Sequence, residues 1–135
     1  MKRTVVLIVS TLLGGTVIAE NLTGVDRMIC AAGQARICFE TGDCFEASPW
    51  ELNMPEFLVI DLKKKSVSTT KASGQQRSTE FSAVRRDDEV IYLQGIDGGR
   101  AFSFVIDEIT GILTASIARD GISVSVFGAC TDTDI

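Results

Sequence analysis

The sequence predicts an all-β fold: an antiparallel meander of about eight strands, closed as a small barrel or packed as a two-sheet sandwich, and stabilised by disulfides. Apolar residues alternate with serine or charge along several segments, the period of two that a half-buried strand needs. Turn-forming residues interrupt those segments at short intervals. All four cysteines follow an export signal, in a chain bound for an oxidising compartment. With 135 residues, 45% of them hydrophobic, the chain suits one globular domain and is too apolar to stay disordered.

Residues 1–19 read as a cleaved signal peptide. Lys2 and Arg3 form its basic start, residues 4–16 are apolar or small, and Val17-Ile18-Ala19 fits a small-residue cleavage site. The apolar run, about 15 residues, falls short of the roughly 20 that span a bilayer. A single β domain is therefore expected over residues 20–135, periplasmic or secreted and not membrane-spanning after cleavage. Asn21-Leu22-Thr23 matches a glycosylation acceptor by chance, since the signal looks bacterial.

The first hairpin places Ile37-Cys38-Phe39-Glu40 and Cys44-Phe45-Glu46 around Thr41-Gly42-Asp43. A three-residue loop centred on Thr41 sets Cys38 opposite Cys44, close enough to bridge. Cys30 then pairs with Cys130 and joins the first strand to the last. The competing connectivity is Cys30–Cys44 with Cys38–Cys130. A thioredoxin-like or zinc role finds no CxxC spacing and no histidine.

Trp50-Glu51-Leu52-Asn53 offers one helical turn before Pro55, and no longer helix is expected. Residues 57–62 are rich in β-formers, Lys63-Lys64-Lys65 is their turn, and 66–70 return. Residues 72–76 form a polar loop. Residues 78–86 make one strand carrying Phe81 and Val84. Arg86-Asp87-Asp88 turns the chain into 89–94, and 95–100, with three glycines, makes the next turn. Phe102, Phe104 and Ile106 share one face of 101–107. Residues 108–111 loop into 112–118, and Asp120-Gly121 is a two-residue hairpin signal before 122–127. Phe81, Leu93, Phe102, Phe104, Ile106 and Val124 are the expected core. Asp132 and Asp134 fall in a short polar tail expected to fray.

The absence of histidine removes the Ser-His-Asp triad, the Cys-His dyad, the HExxH zinc site and any imidazole switch. No Gly-x-Ser-x-Gly elbow is present. Asp87-Asp88-Glu89 reads as a turn start. Gly95-Ile96-Asp97-Gly98-Gly99 lacks both the alternating acids of an EF-hand and the Gly-Lys-Ser/Thr ending of a P-loop. We assign no catalytic residue, no metal and no cofactor. The formal charge of −5 becomes more negative by two when Lys2 and Arg3 are lost, which disfavours nucleic acid. Residues 63–86 gather Lys63, Lys64, Lys65, Lys71, Arg77, Arg85 and Arg86 against Glu80. We read them as a hairpin turn and solvated strand faces rather than as a patch for an anionic partner.

Two resemblances add to this reading. The signal peptide, the CFETGDCFEA hairpin, the IDLKKKSV hairpin, the FSFVIDEITGILTASIA hairpin and the terminal FGAC together resemble small exported bacterial β-meander proteins of unknown function. That implies a periplasmic meander with no assigned activity. Ala72-Ser73-Gly74-Gln75-Gln76-Arg77 is similar to the Ser-Gly-x-x-Tyr type loop of the periplasmic c-type lysozyme inhibitors, although its aromatic and the family's second, Trp-Gly motif are missing here. That resemblance implies Ser73, beside Gly74, as the residue entering the lysozyme cleft, with Arg77 as its partner.

The expected function is a non-catalytic binding module of the bacterial envelope, acting on a protein or small ligand. The alternatives are an inhibitor of a host or cell-wall enzyme such as lysozyme, and a carrier of a small apolar ligand.

Overall fold

The computed structural model describes residues 21–133; the expected signal peptide and Asp134 lie outside the described residues. Ten antiparallel strands form one curled sheet, a half-barrel. They are β1 (Arg27–Phe39), β2 (Cys44–Ala47), β3 (Phe57–Asp61), β4 (Ser66–Thr69), β5 (Ser78–Glu80), β6 (Ala83–Asp87), β7 (Val90–Asp97), β8 (Arg100–Asp107), β9 (Ile112–Arg119) and β10 (Ile122–Asp132). The hydrogen-bonded path runs β5-β4-β3-β1-β10-β9-β8-β7-β6, with β2 added beside β1. Neither a second sheet nor a fully hydrogen-bonded barrel forms from the described residues.

The open seam has a local cause. The segment expected as one strand, 78–86, is two. Its first residues pair with β4 and its last with β7, so no stretch carries both ladders. The handover falls at Phe81 and Ser82, whose amides donate to the carbonyls of Lys65 (2.7 Å) and Gln94 (2.8 Å).

The first and last strands pair along most of their length, with Cys30 directly opposite Cys130. Cys38 lies directly opposite Cys44. Both pairs are disulfides, Cys30–Cys130 and Cys38–Cys44, and the competing connectivity is set aside. A bulge between Ala32 and Ala35 interrupts the ladder. It switches the inward parity of β1: Met28 and Cys30 are buried before it, Ala35 after it. Bulges of this kind bend a strand and increase its twist.

The core joins residues from nearly every strand. Phe81, Leu93, Phe104 and Ile106 are buried as expected, while Phe102 and Val124 are partly buried against them. Leu22, Met28, Ile60, Ile91, Leu113 and Val126 are among the other side chains buried with them. Phe81, Phe102 and Phe104 pack with ring centroids 5.3–6.1 Å apart. Such pairs contribute about 0.5–1.5 kcal/mol beyond their burial. Gly95 lies inside β7 rather than in the expected turn. A Cβ there would stand 2.4 Å from the Phe102 ring, so glycine makes room for the aromatic. The turn itself is Gly98-Gly99. Asp132, expected to fray, pairs with Met28 as the last residue of β10.

Candidate functional site

Successive turns of an antiparallel meander lie at alternate ends. At one end of this half-barrel the core is sealed off, and the depression outside that seal is lined mainly by polar and charged residues, Asp26, Asp61, Lys63 and Lys64 among them. The Leu22 side chain is fully buried at this end, and its amide donates to the Glu108 carbonyl (2.6 Å). The Glu108 carboxylate is buried and meets Arg86 Nε at 3.2 Å. Arg86 also pairs with Asp26 (3.3 Å) and donates to the Val25 carbonyl, and Lys63 reaches Asp26 at 3.4 Å. The basic run at 63–86 is therefore divided: Lys63 and Arg86 serve the sealed end, Arg85 pairs with Asp87, and Arg77 goes to the other end.

The other end is open. Its rim comes from the β7–β8 and β9–β10 hairpins, from the segment after β2 and from the loop between β4 and β5. Pro49–Leu52 forms a single 3-10 turn, where the one helical turn was expected. The Ser48 amide donates to the Glu51 carboxylate at its start (2.7 Å), and Asn53 ends it in the left-handed region. That reversal brings Met54 and Pro55 to the edge of the mouth. In the β4–β5 loop, Lys71–Ser73 is a second 3-10 turn, capped by Gly74 at φ 69°. Thr69 Oγ1 donates to the Gln75 carbonyl (2.6 Å) and accepts from the Arg77 amide (3.1 Å), which closes the loop. Arg77 Nη1 then donates to the Asn53 carbonyl (3.1 Å), tying the two rim segments together.

Beneath this rim lies a cavity of about 120 Å³. Leu58, Val67, Phe102, Phe104 and Ile117 give it apolar walls, and Arg77, Asp97 and Arg100 stand at its edge. A second cavity of about 140 Å³ adjoins it through Met54, Arg100 and Ile117 and reaches Arg119. Phe104 and Ile106 fill the interior below, so the space is a shallow mouth rather than a deep enclosed hole. Among the described residues, Asp97 is the one carboxylate lining either cavity, and it accepts from Thr79 Oγ1 (2.7 Å). The half-buried Arg100 and the exposed Arg119 line these cavities, and neither guanidinium makes a hydrogen bond or ion pair to any described residue; that of Arg100 lies beside Gly98 of the β7–β8 turn.

Of the three residues singled out by sequence, Arg77 lines the mouth and the other two do not. Ser73 and Gly74 are exposed at the loop tip, over neighbouring depressions. The Ser73 hydroxyl is engaged inside the loop, donating to the Thr70 carbonyl (2.7 Å) and accepting from the Gln75 amide (3.2 Å). Arg100 and Arg119 were not recognised from sequence. The signal was available: each flanks a hairpin turn, and those turns, two apart along the meander, fall at the same end.

Among the described residues, no group of three or more histidine, cysteine or acidic side chains is arranged to hold a metal ion. None of their helices is long and apolar enough to cross a membrane. The fold and its mouth define the class: a disulfide-stapled antiparallel half-barrel with one sealed end and one open, arginine-edged end. In comparisons with known proteins, no family model, curated protein or solved structure matches the chain.

Proposed function

We propose that the chain is an exported, non-catalytic binding module of the bacterial envelope, and that it binds through the open mouth. The observation that carries this reading is the asymmetry of the two ends. The same sheet buries Leu22 and a Glu108–Arg86 ion pair at one end, and leaves apolar walls uncovered at the other. A concave apolar site with a few convergent polar groups is the usual form of a ligand site. The two disulfides suit an oxidising compartment, in line with the basic and apolar start of the sequence. The mouth brings one carboxylate to its edge, whereas acid–base hydrolysis by carboxylates needs two.

The test is native purification from the periplasmic or culture fraction, followed by N-terminal sequencing and mass spectrometry of co-purifying molecules. The mature chain is expected to begin at Glu20. Ile117→Trp, which adds bulk at a residue lining both cavities, is expected to emerge without the molecule that accompanies the parent chain. Identical co-purifying molecules from both proteins would remove the mouth from the argument.

A further inference from the structure

We infer that the mouth takes a single-chain fatty carboxylate, with its tail over Phe102 and Ile117 and its head on Arg100. This rests on the reading of the mouth as the binding site and names the ligand that fits it.

Charge is the first argument. The chain as a whole is acidic, with 18 acidic against 13 basic residues, yet arginines outnumber carboxylates among the residues lining the two cavities. Arg77, Arg100 and Arg119 border the two cavities, opposed within them by Asp97 alone among the described residues. Asp97 is already engaged by Thr79, and Arg77 donates one Nη1 hydrogen to Asn53. Arg100 is half-buried with its guanidinium unengaged by any described residue. It stands on the residue set shared by both cavities, so a head group held there leaves its tail free to enter either one. The guanidinium fork matches a planar carboxylate with two parallel hydrogen bonds.

Shape is the second argument. The cavities measure about 120 and 140 Å³ and share Met54, Arg100 and Ile117 in their linings. An apolar cavity of about 150 Å³ holds one benzene-sized group. Two such adjoining compartments suit a slender chain, whereas a fused-ring molecule or a two-chain lipid exceeds them. The unbranched Met54 side chain can adjust along a flexible tail.

The test titrates the folded, oxidised protein with decanoate, with decyltrimethylammonium and with butyrate, all below micelle-forming concentrations. Calorimetry reads affinity, and NMR shifts of Phe102 and Ile117 report the site. Decanoate is expected to saturate one site and to move both residues. The cationic amphiphile shares its ten-carbon chain, and butyrate shares its head; each is expected to bind at least about tenfold more weakly, as the loss of one charge-assisted contact or of most of the tail implies. Arg100→Gln is expected to lose the preference for decanoate and Arg100→Lys to recover part of it, with unfolding midpoints confirming that both variants fold. Equal binding of the two ten-carbon amphiphiles at the mouth would overturn the carboxylate assignment and leave the mouth as a binding site. Decanoate binding that leaves Phe102 and Ile117 unmoved, or an Arg100→Gln variant that binds decanoate as the parent does, would also overturn it. The comparison with Ile117→Trp then judges the mouth separately.

Discussion

The two disulfides differ in what they hold, and stability should reveal it. Cys30–Cys130 spans 100 residues of sequence, whereas Cys38–Cys44 spans 6. In the chain-entropy model a cross-link restricts the unfolded chain more as the loop lengthens. It contributes about 4.7 kcal/mol for the long loop and about 2.2 kcal/mol for the short one, a gap of about 2.5 kcal/mol. Burial widens the gap, because Cys30 and Cys130 are 0% and 4% exposed while Cys38 and Cys44 are half-buried. Replacing both long-range cysteines by alanine removes sulfur from a packed interior, which adds a cavity cost on the order of 1 kcal/mol. The assay is urea unfolding of Cys30→Ala/Cys130→Ala and Cys38→Ala/Cys44→Ala, each compared with the oxidised parent. With a denaturant slope of about 1–3 kcal/mol/M, the first midpoint should fall at least about 1 M below the second. Total stabilities of about 5–15 kcal/mol leave little margin for a loss of that size. Equal midpoints, or a larger loss from the hairpin pair, would refute the argument that joining β1 to β10 is what the long-range bridge contributes.

Three further outcomes follow from particular residues. Arg86→Met leaves the buried Glu108 carboxylate without its ion pair, which should cost about 3–5 kcal/mol in urea unfolding; a loss under 1 kcal/mol would mean that water replaces the guanidinium. The β6–β7 turn holds Asp88 and Glu89 at φ 49° and 63°, a region that favours asparagine and glycine, so Asp88→Asn/Glu89→Gly should raise stability by about 1 kcal/mol, read as a higher thermal midpoint. The amides of Thr110 and Ile109 donate to Asp107 Oδ1, and the Thr110 bond foremost holds its carboxyl below the ordinary value of 3.8. That stabilisation is present above the unfolded value and is lost as pH falls through the folded one. Asp107→Asn should therefore flatten part of the acid limb of a stability–pH profile, and an unchanged limb would count against the loop as its source.

Local chemistry explains most of what the sequence made legible. Asp120-Gly121 and Thr41-Gly42-Asp43 mark hairpins because turn preference is a property of a few neighbouring residues, and the second of these turns also predicts which cysteines face each other. Features that depend on distant partners stayed hidden. Gly95 has the composition of a turn, but its place in β7 is set by a ring seven residues away, on β8. The break at Phe81-Ser82 arises because two different strands claim the two halves of one apolar run. The bulge after Ala32 disrupts the alternation that would have identified β1 as one long strand. At the mouth, Arg77 stood out only through its loop. Arg100 and Arg119 gain meaning when the curled sheet brings their hairpins to one end.

The contrast between the two ends follows from where the meander places its connections. The turns at the sealed end are short: 62–65, 88–89 and 108–111. Such turns have too little side chain to cover the core, and Leu22 with the Arg86–Glu108 pair supplies the cover instead. The open end carries the two long connections, 48–56 and 70–77, and these stand along its rim rather than across its centre. Tertiary burial dictates the strands, because their inward residues must alternate whatever the chain binds. The rim is under no such demand: Arg77 is held by one carbonyl, and Arg100 and Arg119 contribute nothing to the core. Fold and site are therefore separable in this chain. Changes in the two rim segments can alter what the mouth accepts while the sheet, its disulfides and its sealed end keep the same scaffold.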